Sequence, residues 1–175
     1  MFFSGLYFLS DVIEAIEGGF SAAQLALTLV GEVAVPFVVI GLYLAQRPKI
    51  GQLGLISAIA YAYSYVFFTG TVIYAIIDST GNYADLVGDL GVAMTLHGGI
   101  MVFAGVGFGI AVVRARIVPR WTGLALMVGV VAVAATQTSS EGVALAAAGI
   151  RAAAFAGMGL ALLCAPGTPK FDLRV

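Results

Sequence analysis

Five long apolar runs, at residues 22 to 46, 52 to 77, 90 to 113, 121 to 138 and 143 to 164, constrain this chain more than any other feature. Each is close to the ~20 residues that a helix needs to cross ~30 Å of hydrocarbon, and each is closed by a short polar break. Lipid offers the backbone no hydrogen-bond partner, so such runs fold as helices and pack on one another. The sequence predicts an all-α, polytopic integral membrane helix bundle with five transmembrane helices over residues 21–165. Of the 175 residues, 61% are hydrophobic and 10% charged, which leaves no length for a soluble domain.

Residues 1–20 differ. Asp11, Glu14 and Glu17 recur every three residues, while Leu6, Leu9, Ile13, Ile16 and Phe20 occupy the opposite face. This pattern predicts an amphipathic interfacial helix, lying along the membrane surface or docked on the bundle. The absence of Lys and Arg near the start argues against a signal peptide.

Orientation follows from the basic residues, which accumulate in short cytoplasmic loops. Threading five spans puts Arg47, Lys49, Arg114, Arg116, Arg120, Lys170 and Arg174 on one side. Asp11, Glu14, Glu17, Asp78, Asp85, Asp89 and Glu141 fall on the other. The expected topology has the N-terminus outside, the C-terminus inside and residues 166–175 as a cytoplasmic tail.

Two charges, Glu32 and Arg151, stand inside apolar runs, where an ionisable group faces the bundle interior or a wet cavity. At 1.5 Å per residue they lie about 15 and 12 Å below the outer ends of their spans, and His97 about 10 Å below the end of another. The three are expected to converge in the outer half of the membrane. Gln24, Thr28 and Glu32 form an i, i+4 stripe leading inward, and Pro36 behind them predicts a kink. Tyr65, near mid-membrane, requires a partner for its hydroxyl. Two readings of the cluster stay open: a structural clasp that fixes helix register, or a polar cavity that binds or passes a ligand. Metal or haem ligation by His97 is a third, minor one, and neither a metal nor a cofactor is predicted.

Gly149, Ala153, Gly157 and Ala161, with Gly105 and Gly109, make small-residue ladders suited to close helix packing. The stretch from Arg114 to Gly123, Arg-Ala-Arg-Ile-Val-Pro-Arg-Trp-Thr-Gly, reads as a tight cytoplasmic turn. Pro119 would start the next helix there, with Trp121 at the interface. The stretch resembles a feature of small bacterial multi-pass membrane proteins that have no assigned activity. That resemblance implies a bacterial inner (cytoplasmic) membrane and transfers no site residue.

Familiar membrane chemistries lack their residues. Lys49 and Lys170 lie outside the runs, no Gly-x-Ser-x-Gly and no phosphate loop occur, and the one cysteine, Cys164, excludes an internal disulfide. Five spans do not divide into inverted halves, although a homodimer would restore the symmetry. The leading expectation is a non-catalytic accessory or assembly subunit of a membrane complex. Its partners would be the lipid bilayer and either other membrane subunits or further copies of the chain, with no nucleic acid. The alternative is a stand-alone binder or carrier of a small or lipophilic ligand around Gln24, Thr28, Glu32, Tyr65, His97 and Arg151. An enzyme using His97 as an acid or base ranks third.

Overall fold

Every apolar run forms a helix in the computed structural model, which describes residues 2–137 and 139–164. Among these residues the order is α1 (Phe2–Glu17), α2 (Ala22–Ala45), α3 (Gly51–Asp78), α4 (Tyr83–Leu90), α5 (Val92–Ala115), α6 (Arg120–Ala135) and α7 (Glu141–Leu163). The predicted cytoplasmic tail, 166–175, lies outside the described residues. Helices α2, α3, α5 and α7 are long and apolar enough to cross a membrane, whereas α6 is shorter. Large apolar side chains such as Phe37, Ile56, Val66, Ile77 and Phe103 cover the outside, as lipid rather than water requires. This is the helix bundle of a membrane protein.

The long helices form a ring in which α1 packs on α2, α2 on α3, α3 on α5, α5 on α6 and α6 on α7, and α7 returns to α1. The polar stretch between α3 and α5 holds a helix that periodicity did not predict. Its signal was a cap: Asn82 accepts from the backbone N–H of Asp85 at 3.0 Å and so starts α4. Gly91, at φ 51°, ends it. The loop before α2 is tied to the loop before α4 by the Phe20 N–H, which donates to the Gly81 carbonyl at 2.8 Å. Helix α2 continues through Pro36 to Ala45.

Of the two positions expected for α1, along the membrane surface or docked on the bundle, the contacts with α2 and α7 show the second. The helix runs antiparallel along α2, with Tyr7 against Gly31 and Glu14 beside Gln24, and its other flank meets α7. Its amphipathicity is inside out. Ser10 is buried and Asp11 and Glu14 are half-buried against the ring, while Phe2, Phe3, Leu9 and Ile16 are exposed. The apolar stripe therefore faces outward, as it would toward lipid, while Asp11 and Glu14 turn inward to Arg151 and Gln24 and Glu17 stays exposed.

The ring is filled at one end. Tyr61, Phe108, Leu126, Val130, Phe155 and Met158 form a tight core in the half that adjoins the basic loops. The small-residue ladders are used within this packing. Gly105 lets Tyr61 and Val130 approach α5, Gly149 meets Phe8 of α1, and Gly157 accommodates the Trp121 ring. At Gly129 a methyl group would lie 2.8 Å from the N and Cα of Arg151, so only hydrogen lets α6 and α7 come this close.

Gly129→Ala is therefore expected to destabilise the bundle by about 1–3 kcal/mol, because the obstacle is backbone and cannot rotate away. Gly41→Ala, where an added methyl meets nothing within 4 Å, should be neutral or slightly stabilising. Thermal unfolding of the two variants in the same detergent checks the difference.

Candidate functional site

At the end of the ring opposite the basic loops the core gives way to a cavity of about 930 Å³. Its mouth lies near the helix ends and loops, at Gly18 to Phe20, Asn82 to Ala84, Gln137 and Ser139. Its wall is largely apolar, with Leu25, Val72, Met94 and Met101 prominent, and polar groups concentrate on α1 and α2. Tyr65, Arg151, Tyr7 and Glu32 lie at its inner end, where it meets the packed core.

Two antiparallel stripes make the polar wall. On α2, Gln24, Thr28 and Glu32 share a face, as their spacing predicted; on α1, Tyr7, Asp11 and Glu14 stand at i, i+4 and i+7. The stripes zip together at both ends. The Gln24 amide donates from Nε2 to Glu14 Oε2 at 2.9 Å and to Thr28 Oγ1 at 3.1 Å. The Tyr7 hydroxyl donates to Glu32 Oε1 at 3.2 Å. Thr28 spends its own proton on the Gln24 carbonyl at 3.0 Å.

Arg151 is buried beside this zipper. It donates from Nη1 to the Tyr65 hydroxyl at 3.1 Å, which is the partner that Tyr65 requires. Its Nη2 stands 4.0 Å from Asp11 Oδ2, and its guanidinium carbon lies 4.8 Å from the centre of the Tyr7 ring, in cation–π range. Arg151 and Glu32 thus reach the same floor, but the depth match did not make them partners. Asp11 takes the ion-pair role, and Tyr7 stands between the two, its ring under the guanidinium and its hydroxyl on the carboxylate.

Two acceptor atoms in this wall have no hydrogen-bond partner among the described residues: Glu32 Oε2 and Gln24 Oε1. Both side chains are more than nine-tenths buried, at 6% and 2% exposure. The amide orientation of Gln24 is not arbitrary, since its nitrogen must face the Glu14 carboxylate. The carboxylates also reach the rim, where burial first and then Glu14 and Glu32 push the Tyr83 phenol above its usual range.

His97 is elsewhere. Met94, Gly98 and Met101 of α5 face the cavity, whereas His97 lies on the adjacent face, against α3. Its ring stacks on Phe67 at 3.7 Å and 6°, Nδ1 donates to the Ala93 carbonyl at 2.8 Å, and Nε2 meets the Tyr63 hydroxyl at 3.2 Å. Both ring nitrogens are engaged away from the cluster, so the expected convergence of three ionisable groups fails at this member. Among the described residues no group of three His, Cys, Asp or Glu side chains is placed to hold a metal ion.

The sequence reading missed Tyr7, Asp11 and Glu14 as members of the site. Their spacing was available, but it does not tell which neighbour a docked α1 would meet.

If Arg151 is held by the tyrosines as well as by Asp11, the variants should rank. Arg151→Met leaves Asp11 without its counter-charge and is expected to cost about 3 kcal/mol. Asp11→Asn should cost less, because the pair is 4.0 Å apart and the Asp11 side chain is 25% exposed. Tyr65→Phe should cost about 1 kcal/mol for one hydrogen bond. Unfolding in mixed micelles measures all three; equal losses for Arg151→Met and Asp11→Asn would mean that the ion pair alone secures the arginine. Comparison with known proteins gives no match to this chain: no family model fits it, and no curated protein or solved structure is similar to it.

Proposed function

We propose that this protein is a membrane-embedded, non-catalytic binder or carrier of a small amphiphilic ligand, which enters the ring from the end opposite the basic loops. The observation that carries the reading is the cavity of about 930 Å³, apolar around most of its wall and polar at its closed end. Pockets for small molecules commonly enclose about 300–1,000 Å³, with an apolar lining and a few placed polar groups. A clasp that only fixed helix register would need Arg151 and its partners but no open volume beside them.

With Arg47, Lys49, Arg114, Arg116 and Arg120 on the cytoplasmic side, the mouth faces the periplasm of a bacterial inner membrane. Helix α1, with its apolar face outward, would be membrane-embedded beside the five predicted spans, and the lipid bilayer would surround the whole ring. The accessory-subunit reading loses ground on one observation. A partner could have used the acidic face of α1 or the small-residue ladder of α7, but Asp11 and Glu14 of the first and Gly149 and Gly157 of the second pack within the ring, which leaves Glu17 and Ala153 exposed. The loop acids Asp78, Asp85 and Asp89 remain exposed for a partner.

Thiol labelling tests the reading. In a Cys164→Ser background, Thr28→Cys should react with a small membrane-impermeant thiol reagent added on the mouth side, while Leu126→Cys, in the packed core, should not. Gly98→Trp, which projects into open space in the cavity wall, should slow the labelling of Thr28→Cys at least tenfold. No labelling of Thr28→Cys in folded protein would reject an open cavity.

A further inference from the structure

The ligand class follows from the chemistry of the wall, provided that the cavity binds a ligand as proposed above. Among the described residues three carboxylates, Asp11, Glu14 and Glu32, line the cavity against a single guanidinium, that of Arg151. The guanidinium is committed to Tyr65, to Asp11 and to the Tyr7 ring. An anionic head group would thus find its one attractive partner already engaged and would face an excess of negative charge. A cation would find the reverse.

The hydrogen-bond inventory narrows the class. The buried atoms left without a partner in the wall, Glu32 Oε2 and Gln24 Oε1, are acceptors. The Gln24 amide oxygen takes only a donor, and Glu32 Oε2 takes one as a carboxylate. A buried carboxylate oxygen without a partner is costly, and a charge-assisted N–H bond is the interaction that relieves it most. A quaternary ammonium has the charge and lacks the proton. A metal ion would need several ligands at about 2–2.6 Å, and among the described residues no such group exists.

The two acceptors lie eight residues apart on α2, about 12 Å along the axis at 1.5 Å per residue. Thr28 stands between them. Glu32 is at the closed end, beside Tyr7, Tyr65 and Phe68, whose rings favour a cation. Gln24 is two turns nearer the mouth. A molecule with its charged head on Glu32 and its body lying toward Gln24 would run its carbon skeleton along Leu25, Val72 and Met94. We infer that the cavity is a site for an organic cation bearing N–H donors, a primary or secondary ammonium or a guanidinium on an apolar body, with Glu32 as its counter-charge.

The test uses four probes that share a phenylalkyl skeleton and differ in the head: phenethylammonium, its N,N,N-trimethyl analogue, 2-phenylethanol and 3-phenylpropionate. Binding is read on the full chain in nanodiscs by protection of Thr28→Cys, in the Cys164→Ser background, from a thiol reagent, and independently on unmodified protein by calorimetry. Phenethylammonium should bind at least about tenfold more tightly than each of the others, the loss expected when one charge-assisted hydrogen bond is removed. Glu32→Gln, which keeps an acceptor for Tyr7, should weaken it by a similar factor, and His97→Ala should leave it unchanged. Should Glu32→Gln fail to fold, the ranking of the four probes on the unmodified protein decides the matter alone.

Tighter binding of the alcohol or the carboxylate overturns the cationic class while leaving a ligand-binding cavity in place. Equal binding of the trimethyl analogue overturns the need for an N–H donor. No protection by any probe, with Thr28→Cys still readily labelled, overturns the inference; no labelling at all overturns the binding reading with it.

Discussion

Arg151 is the group around which the bundle is arranged. A guanidinium cannot be neutralised, so once the sequence places one inside an apolar run the rest of the molecule must surround it with acceptors and negative charge. Helix α3 supplies the Tyr65 hydroxyl and α1 supplies Asp11 and the face of Tyr7. Helix α2 reaches it at one remove, through Glu32 on the Tyr7 hydroxyl. The close approach at Gly129 brings the Arg151 backbone hard against α6. Three helices of the ring thus answer to one side chain and a fourth to its backbone, and α1 belongs to the ring because its polar stripe is needed there.

That dependence explains which parts of the fold were legible in the sequence. The runs that became α2, α3, α5, α6 and α7 were legible within about three residues, because short polar breaks bound each of them; four have the length that a hydrocarbon layer requires, and α6 is shorter. Helix α1 was legible as a helix, with two places open to it, the membrane surface and the bundle, and Asp11 beside Arg151 belongs to the second. An acidic amphipathic helix reads as a surface element when its apolar face is assumed to bury itself; beside a lone arginine in a membrane the faces exchange roles. Helix α4 was hidden because its start depends on a side-chain cap at Asn82 rather than on periodicity.

The site was legible by depth and not by rotation. Counting residues from the ends of the runs put Glu32 and Arg151 at one level, and they are there. The same count put His97 at a comparable level, yet a rotation of one residue, about 100° on a helix, separates it from Gly98 in the cavity wall. Rotation is decided by what the neighbouring helix offers. Phe67 gives His97 a flat surface to stack on, and Tyr63 and the Ala93 carbonyl give its nitrogens partners, so it has no need of the interior.

Close packing at one end and openness at the other are one consequence of where the small residues stand. Gly105, Gly109, Gly123 and Gly129 sit where α5, α6 and α7 cross, and each is met by a neighbour that an added carbon would displace. Toward the mouth the glycines at Gly98 and Gly99 meet nothing, so there the helices are not drawn together. What holds the wide end is the tie from Phe20 to Gly81 and the packing of Leu86 with Leu25, Val72 and Met94. Helix α4 therefore acts as a spacer that joins the loops without filling the ring. The guanidinium thus lies where the packed end meets the open one, with a cavity beside it and, among the described residues, two acceptors without partners in the cavity wall.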